Sequence, residues 1–336
     1  MPTDAPTLRI AALAASRIAD AAIVQPCRDV DGVELVAVAA RDADRAAAAA
    51  DRWGVDRSFG SYEELLDDEE IDAVYIATPA SLHRRWAVAA IEAGKHVLCE
   101  KPFAANGADA RLIADAAASS DVVVMEAFHW RYHPFAAGIA EVLSRGDIGT
   151  IRHVSAVFDI AAGRIAPGDI RWDLALGGGA TMDLGCYPLN WVRFAAGPDV
   201  EVVSATAECP VPDVDGSLTA QLRWASGATG WIRSSMVAES DGMVAWLRIE
   251  GDAGLLVADN PLAPQRGAEL RVETAAGATV STPTDRPTYD FQLEALRDAV
   301  NDGTPFPTTA EDGVAMMELI DDCYLAAGLP VRPTLD

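Results

Sequence analysis

The sequence has little lysine and an unbalanced charge. Of its 336 residues, 26 are basic and 51 are acidic, which gives a formal net charge of −25, and only Lys95 and Lys101 are lysines. This charge repels nucleic acids and anionic membranes, so we expect neither as a partner. A GC-rich genome and adaptation to high salt both explain such a composition, and the sequence leaves the two open. Because lysine is so scarce, each one is a candidate for a specific task.

Signals for export, membrane insertion and metal binding are also missing. No segment resembles a signal peptide, and no apolar run approaches the roughly 20 residues that span a membrane. The five cysteines are dispersed, without a CxxC pair or another metal-ligand spacing. We therefore expect reduced thiols, no metal site and a cytoplasmic location.

The first part of the chain alternates strands with helices. Strands are predicted over 8–13, 33–40, 72–78, 96–100 and 121–127, and helices over 43–52, 62–66 and 82–94, with Gly94 as the C-cap. This alternation predicts an α/β fold, with a parallel, doubly wound sheet of the Rossmann type over residues 1–126.

The remainder, residues 127–336, has a different pattern of predicted elements. A second domain is expected as well because 336 residues are more than a single hydrophobic core typically includes. Longer alternating strands are predicted over 152–160, 200–209, 217–225, 228–236 and 245–251, followed by helices over 289–303 and 310–328. This pattern predicts a second, α+β domain with a large, open, mainly antiparallel sheet. We expect its C-terminal helix to pack back on the first domain.

The segment Leu8–Ile23 has the outline of a dinucleotide-binding strand, turn and helix, yet it contains no glycine. Ala14, Ser16 and Ala19 occupy the positions of the G-x-G-x-x-G glycines. Ala14 is strained by about 1 kcal/mol if its φ is positive, whereas a shifted turn with negative φ avoids the penalty. The Ser16 hydroxyl can donate to a phosphate oxygen, and the backbone amides and the helix N-terminus remain as anion donors in either case. The predicted cofactor contacts in this turn are Ala14, Ser16, Arg17 and Ile18.

The end of the second strand bears on the choice between NAD and NADP. An NAD site places a carboxylate there, but this strand ends with Ala40 followed by Arg41. An arginine beside a vacant acid position suits the 2′-phosphate of NADP. Two alternatives remain open: Arg41 is a solvated loop residue, or Asp42 is the acid and the cofactor is NAD.

More specific motifs lie further along the chain. They are TPASLH (78–83), EKP (100–102), MEAFHWRYHP (125–134) and GGGATMDLGCYPLNW (177–191). With the closing helices, they make the sequence resemble the Gfo/Idh/MocA oxidoreductase family nearly from end to end. Within it, the sequence is most similar to the branch of dimeric dihydrodiol dehydrogenase and NADP-dependent D-xylose dehydrogenase.

The resemblance implies roles for three residues. Lys101, the lysine of the EKP motif, would lie beside the nicotinamide and the reacting hydroxyl. Tyr187 would be the general acid and base, its pKa lowered by Lys101. Asp183 would orient the substrate or support this pair, and a helix cap is its alternative. Because Pro188 disfavours helical geometry at Tyr187, we expect the helix to break at the tyrosine.

Other contacts are implied in the same way. Thr78, Pro79, His83 and Glu100 would join Lys101 around the cofactor, with His83 also a catalytic candidate and a structural histidine its alternative. Pro102 is expected to follow a cis peptide. Aromatic and basic side chains would line a sugar or diol pocket together with Asp183 and Tyr187, although ordinary core packing explains the aromatic ones equally well. These candidates are Trp130, Arg131, Tyr132, Trp172 and Trp191.

The sequence thus predicts an NADP-dependent oxidoreductase, with NAD as the second choice of cofactor. Hydride would pass between nicotinamide and a secondary alcohol or cyclic hemiacetal of a D-xylose-like sugar or polyol, or of a trans-dihydrodiol. The family implies a homodimer or higher homo-oligomer formed through the C-terminal sheet. The altered turn motivates an alternative, a lyase, hydratase or glycosidase that uses Lys101 and Tyr187 for proton abstraction. A sugar-sensing or partner-binding module is a third, non-catalytic hypothesis.

Overall fold

A parallel sheet forms the centre of the amino-terminal part of the chain, in a computed structural model that describes residues 6–335. Its strands are β1 (Leu8–Leu13), β2 (Val33–Ala39), β3 (Arg57–Phe59), β4 (Ala73–Ile76), β5 (His96–Cys99) and β6 (Val124–Glu126). They lie in the order β3-β2-β1-β4-β5-β6, and every neighbouring pair is parallel. The strand order reverses between β1 and β4, which leaves a crevice at the carboxyl ends of these two strands.

Helices connect these strands, and three of them begin at side-chain caps. They are α1 (Pro26–Asp29), α2 (Ala43–Trp53), α3 (Tyr62–Leu66), α4 (His83–Glu92) and α5 (Gly107–Ala118), and a π-helical turn over Asp20–Val24 precedes α1. Asp42, Ser61 and Asn106 each accept a hydrogen bond from the third residue beyond them, as N-cap residues do. Gly94 follows α4 with a φ of +71°, as a C-terminal glycine does. The predicted α/β organisation is confirmed.

A larger sheet forms the centre of the following part. Its strands are β7 (Ile151–Ala161), β8 (Val200–Glu208), β9 (Ser217–Trp224), β10 (Thr229–Ala238), β11 (Val244–Gly251), β12 (Gly254–Asp259), β13 (Glu269–Thr274) and β14 (Gly277–Ser281). Their order is β14-β13-β12-β11-β7-β10-β9-β8, with β7 and β10 parallel and all other pairs antiparallel. The prediction of a mainly antiparallel second sheet is therefore confirmed.

Four helices accompany or follow this sheet in the sequence: α6 (Pro134–Arg145), α7 (Cys186–Ala196), α8 (Thr288–Asp302) and α9 (Ala310–Ala326). A π-helical turn over Thr181–Gly185 runs directly into α7. Helix α7 packs on β7, β10 and β11 and is buried over most of its length, so it covers the inner face of the sheet. The helical segment that carries the predicted residues Asp183 and Tyr187 therefore packs against this sheet.

The described residues divide into two compact units. The first contains the chain up to Arg131 together with Tyr289–Val314 and Leu335, and the second contains Tyr132–Thr288 and Ala315–Thr334. The first thus comprises the parallel sheet with α8, and the second comprises the larger sheet with α6 and α7. Within residues 6–335, every helix is too short or too polar to cross a membrane.

Candidate active site

The turn after β1 keeps a backbone conformation that glycine adopts most easily. Ala14 has a φ of +98°, and its amide donates to the Ala39 carbonyl at the end of β2 with an N···O distance of 3.1 Å. The alternative of a shifted turn with negative φ is therefore excluded. Alanine in this conformation costs about 1 kcal/mol, a strain that the fold tolerates while it preserves the shape of the turn.

Two buried hydroxyl oxygens at the crevice have no hydrogen-bond partner within the described residues. They are Ser16 Oγ, in the turn after β1, and Thr78 Oγ1, in the loop after β4. A buried hydroxyl left unsatisfied costs about 1–3 kcal/mol, so a ligand that carries oxygen atoms is its natural partner. Phosphate and ribose oxygens of a dinucleotide lie at this position in doubly wound sheets. The residues present therefore fit the predicted cofactor.

The carboxylate that follows β2 is used for helix capping. Asp42 Oδ1 accepts a hydrogen bond from the Arg45 amide at 2.8 Å and begins α2. This bond engages only one of the two carboxylate oxygens, so the alternative in which Asp42 holds a ribose hydroxyl stays open. Arg41, one residue earlier, is exposed at the carboxyl end of β2, where a 2′-phosphate is recognised in NADP enzymes.

Arg41 is accompanied by a second arginine that the sequence did not single out. Arg45 Nη2 lies 3.3 Å from the Ala15 carbonyl oxygen, which brings its guanidinium to the turn after β1. Burial raises the pKa of Tyr62, and the charges of Arg41 and Arg45 oppose this rise, so both guanidinium groups face the same tyrosine. Arg17 and Ile18 are exposed in the turn itself. Two guanidinium groups on one side of a turn suit a dianionic phosphate.

His83 connects the loops that follow β4 and β5. Its Nε2 lies 2.9 Å from the Thr78 carbonyl oxygen and its Nδ1 lies 3.0 Å from the Pro102 carbonyl oxygen. The side chain is buried, and burial lowers the pKa of the imidazole, an effect that the nearby charge of Lys101 reinforces. Both ring nitrogens face main-chain carbonyls, so the geometry supports a positioning role for His83 more than proton transfer to a substrate.

Glu100 supports the backbone at Lys101. Its Oε1 accepts from the Tyr75 hydroxyl at 2.7 Å, and its Oε2 accepts from the Lys101 amide at 3.2 Å. Glu100 is buried, whereas Lys101 is half-buried at the carboxyl end of β5, and the peptide between Lys101 and Pro102 is cis. Glu100 thus holds the chain from which the Lys101 side chain extends. Pro79 lies in the neighbouring loop, next to Thr78, and is half-buried.

In the second unit, Asp183 and Tyr187 lie on one helical segment. Asp183 is in the π-helical turn Thr181–Gly185, and Tyr187 is in the first turn of α7. The expectation that Pro188 breaks the helix at Tyr187 is wrong. Pro188 is the third residue of α7, where a missing amide hydrogen is tolerated, and the wider π turn carries the chain into it. The two side chains are therefore one turn apart on a continuous helix.

Asp183 is held by an arginine from the preceding loop. Arg171 Nε donates to Asp183 Oδ2 at 2.5 Å, and Arg171 Nη1 donates to Asp169 Oδ1 at 3.0 Å. The two carboxylates raise the pKa of Arg171 against the opposing effect of its burial, so its charge is secure. The carboxylate of Asp183 thus bonds to a cation in the neighbouring loop. Sequence reasoning overlooked Arg171, and its only signal was the Asp-Ile-Arg-Trp-Asp pattern just before the glycine run.

The aromatic candidates differ in exposure. Tyr187 is 4% exposed and packs edge-on against Phe158, with ring centroids 5.7 Å apart. Trp191 is fully buried and Trp130 is 1% exposed, which favours core packing for both. The half-buried candidates for contact with a substrate are Arg131, Tyr132 and Trp172.

The glycine run before α7 is required by close packing. A Cβ on Gly178 would lie 2.7 Å from the carbonyl oxygens of Arg171 and Asp173. A Cβ on Gly179 would overlap the carboxylate of Asp215. The motif that the resemblance singled out therefore lets the Arg171 loop and Asp215 approach the main chain before α7. Among residues 6–335, no group of three or more histidine, cysteine or acidic side chains is arranged to hold a metal ion.

Comparisons with known proteins agree with this architecture. A family model described as "Oxidoreductase family, NAD-binding Rossmann fold" matches residues 9–128, and one described as "GFO/IDH/MocA C-terminal domain" matches residues 137–257. D-xylose 1-dehydrogenase (NADP(+)) 2 of Haloferax volcanii is 35% identical over 90% of this chain and 92% of its own length. Trans-1,2-dihydrobenzene-1,2-diol dehydrogenase of Mus musculus is 35% identical over 59% of each chain.

A solved structure extends the likeness to three dimensions. A 3-ketoreductase from Actinomadura kijaniata, in complex with NADP and TDP-benzene, has a TM-score of 0.84 at 27% identity and covers 94% of this chain and 96% of its own. The sequence-based resemblance is confirmed, because both family models match and a relative aligns over nine tenths of the chain. The chain belongs to the Gfo/Idh/MocA family of nicotinamide-dependent oxidoreductases.

Proposed function

We propose that this protein is an NADP-dependent dehydrogenase acting on a D-xylose-like sugar or polyol, with a trans-dihydrodiol as the second candidate substrate. The observation that carries the proposal is the turn at Ala14, which keeps a positive φ beside two hydroxyl groups at the crevice that have no hydrogen-bond partner among residues 6–335. The relative in Haloferax volcanii, similar over most of its length, supports NADP and an aldose. Residues 1–126 form the dinucleotide-binding domain in this proposal, and residues 127–336 bind substrate and form the oligomer.

The cofactor contacts follow from the first unit. Bound NADP supplies a carbon that accepts or donates hydride. Ser16 and Thr78 donate their free hydroxyl groups to its oxygen atoms. Arg41 binds the 2′-phosphate with Arg45 beside it, and two guanidinium groups favour NADP over NAD, which lacks this phosphate. Further contacts come from the exposed turn and from the loops after β4 and β5, namely Arg17, Ile18, Pro79, Glu100 and Lys101.

The chemistry is assigned to Lys101 and Tyr187. In the oxidative direction, the Tyr187 phenolic oxygen takes the proton of the substrate hydroxyl, and it returns this proton in the reductive direction. The Lys101 ammonium favours the phenolate form of the tyrosine and polarises the carbonyl oxygen of the oxidised substrate. Asp183 accepts a hydrogen bond from a second substrate hydroxyl while Arg171 holds its carboxylate. His83 keeps the two loops around Lys101 in register.

Three further side chains contact the substrate in this proposal, and one face of the larger sheet forms the assembly. Arg131, Tyr132 and Trp172 are half-buried and contribute to substrate binding in this proposal, whereas Trp130 is buried and is assigned to core packing. The outer face of the larger sheet carries Trp231 and Trp246, in edge-on contact with centroids 5.7 Å apart. Aromatic side chains on an open sheet face favour a homodimer or larger homo-oligomer through that face. Dispersed free thiols favour the cytoplasm.

Titration of the purified protein with NADPH and with NADH, followed by nicotinamide fluorescence, tests the proposal. We expect saturation by NADPH in the micromolar range, weaker binding of NADH, and turnover of at least one sugar in a panel of aldoses, polyols and trans-diols with NADP⁺. Absence of NADPH binding would refute the cofactor assignment. NADPH binding without turnover of any panel member would instead favour the lyase, hydratase or glycosidase alternative, or a sensing module.

A further inference from the structure

The helical segment that carries Asp183 and Tyr187 begins without a cap of its own. Its N-cap residue is Ala180, preceded by Gly177, Gly178 and Gly179, and no local side chain accepts a hydrogen bond from the first turn. The first amides of a helix need acceptors from outside the helix, and an N-terminus without them frays. An acceptor must therefore come from elsewhere in the chain.

Asp215 supplies these acceptors from the connection between β8 and β9. Its main-chain carbonyl accepts from the Ala180 amide at 2.7 Å. Its Oδ2 accepts from both the amide and the hydroxyl of Thr181, each at 2.7 Å. Thr181 and Asp215 are both fully buried. One residue, 34 positions away from Thr181 in the sequence, thus caps the first turn of the helix.

The other carboxylate oxygen of Asp215 is balanced by the end of the chain. Arg332 Nη2 lies 2.7 Å from Asp215 Oδ1, and the Tyr324 hydroxyl donates to the same oxygen at 3.1 Å. Arg332 Nε also donates to the Gly178 carbonyl at 2.6 Å, so the arginine touches the glycine run directly. Burial acts to raise the pKa of Asp215, and the charge of Arg332 acts against it. A buried carboxylate with this many donors is strongly fixed in place.

We infer that Asp215 and Arg332 are positioning residues, which hold the first helical turn so that Asp183 and Tyr187 meet the substrate in one orientation. The inference rests on the proposed function, because it assigns these two residues to the same reaction. A displacement of about 1 Å at a catalytic group can cost about a hundredfold in rate. Loosening the cap therefore lowers kcat more than it raises KM.

The cleanest test removes one donor without changing the shape of the site. Thr181→Val replaces the hydroxyl with a methyl group, and Thr181→Ser keeps the hydroxyl. With NADP⁺ and the best aldose of the panel, we expect kcat of Thr181→Val to fall about tenfold, a fraction of the loss from a 1 Å displacement. We expect KM for NADP⁺ to stay unchanged and Thr181→Ser to stay near the wild-type rate. Equal kcat values for Thr181→Val and the wild type would overturn the inference.

A second variant covers the case in which Thr181→Val does not fold. Tyr324→Phe removes the donor to Asp215 Oδ1, and Ile320→Val is its control, a buried change one turn earlier on α9. We expect a drop in kcat for Tyr324→Phe and none for Ile320→Val when both are assayed well below their unfolding temperatures. A drop of the same size in both would show that general loosening of α9, and not the cap, is responsible.

Hydrogen–deuterium exchange separates this inference from the proposed function. If the wild-type protein binds NADPH but turns over no panel member, the proposed function fails and the cap remains testable without substrate. We expect amides of residues 182–187 to exchange faster in Thr181→Val and in Tyr324→Phe than in Thr181→Ser, Ile320→Val or the wild type. Unchanged exchange in both hydroxyl deletions would overturn the positioning role regardless of activity.

Discussion

Two turns of this molecule have a residue with positive φ, where glycine is expected, but only one of them has kept the glycine. The turn after β1 has Ala14 at a φ of +98°, whereas the turn before α7 keeps Gly179 at +134°. At Ala14 the side chain costs only backbone strain of about 1 kcal/mol. At Gly179 a Cβ would overlap Asp215 and lie 2.7 Å from Arg332 Nη2. Glycine required for conformation can be replaced at a modest cost, and glycine required for space cannot.

The largest expected effect separates these two requirements. Gly179→Ala should lower the free energy of unfolding by at least about 3 kcal/mol, because it disturbs a buried ion pair. Gly54→Ala is the control, since Gly54 has a left-handed φ of +70° and open space around its Cβ position. The control should lose only about 1–2 kcal/mol. Urea denaturation measures both, and equal losses would contradict the distinction between space and conformation.

The next largest effect concerns the affinity of the site beside the glycine-free turn for the 2′-phosphate of NADPH. Arg41→Ala should weaken NADPH binding by about 1.5–3 kcal/mol, the cost of losing a charged hydrogen-bonding partner. Binding of NADH should barely change, because NADH lacks the 2′-phosphate. Arg28→Ala, at an arginine bonded to the Trp53 carbonyl, is a control outside the turn. Equal losses for NADPH and NADH would remove Arg41 from the phosphate site.

A smaller effect, of opposite sign, comes from restoring the glycine. Ala14→Gly should raise the free energy of unfolding by about 0.5–1 kcal/mol, since relief of strain exceeds the added entropy of the unfolded chain. Ala15→Gly, at the next position, should lower it by a similar amount because Ala15 has no positive φ to relieve. Urea denaturation again measures both. A loss of stability in Ala14→Gly would show that the turn is not strained.

Weak acid should destabilise the loops that His83 connects, which follow β4 and β5. Burial lowers the pKa of His83 below its ordinary value of 6.5, so the folded state prefers the neutral ring. This contribution to stability is complete above pH 6.5 and is lost as the pH falls through that value toward the pKa of the folded protein. The loops around Lys101 should therefore loosen in weak acid. His83→Gln should flatten the dependence of the unfolding free energy on pH, and an unchanged slope would argue against a buried neutral His83.

Much of the fold could be predicted from local pattern, and the exceptions have physical causes. The buried strands β1 and β4 are apolar runs bounded by turn signals, so periodicity locates them. The edge strand β14 is exposed throughout, and β3 has three residues, so neither carries a clear alternation. Helix α7 contains Pro188 and follows three glycines, and because both residue types have low helix propensity, the local sequence does not predict a helix there. Local rules therefore failed at an edge and at a candidate site.

The site shows the same division. Lys101, Asp183 and Tyr187 could be proposed because motifs mark them. The residues proposed to position Asp183 and Tyr187 could not, since their partners are distant in sequence: Asp215 lies 34 residues from Thr181 and 117 from Arg332. Arg171 is closer to Asp183, but the loop before the glycine run gave no helical or strand period that would place it. Contacts of this kind arise from tertiary packing and leave no local signature.

The measurement that tests the central claim most directly is turnover by Lys101→Met beside the wild type, with NADP⁺ and the aldose panel followed by NADPH absorbance. The variant should unfold at the same urea concentration as the wild type, because Lys101 is only half-buried, and its turnover should be abolished. Retained turnover in a folded Lys101→Met protein would contradict the assignment of hydride-transfer chemistry to this lysine and its partner tyrosine.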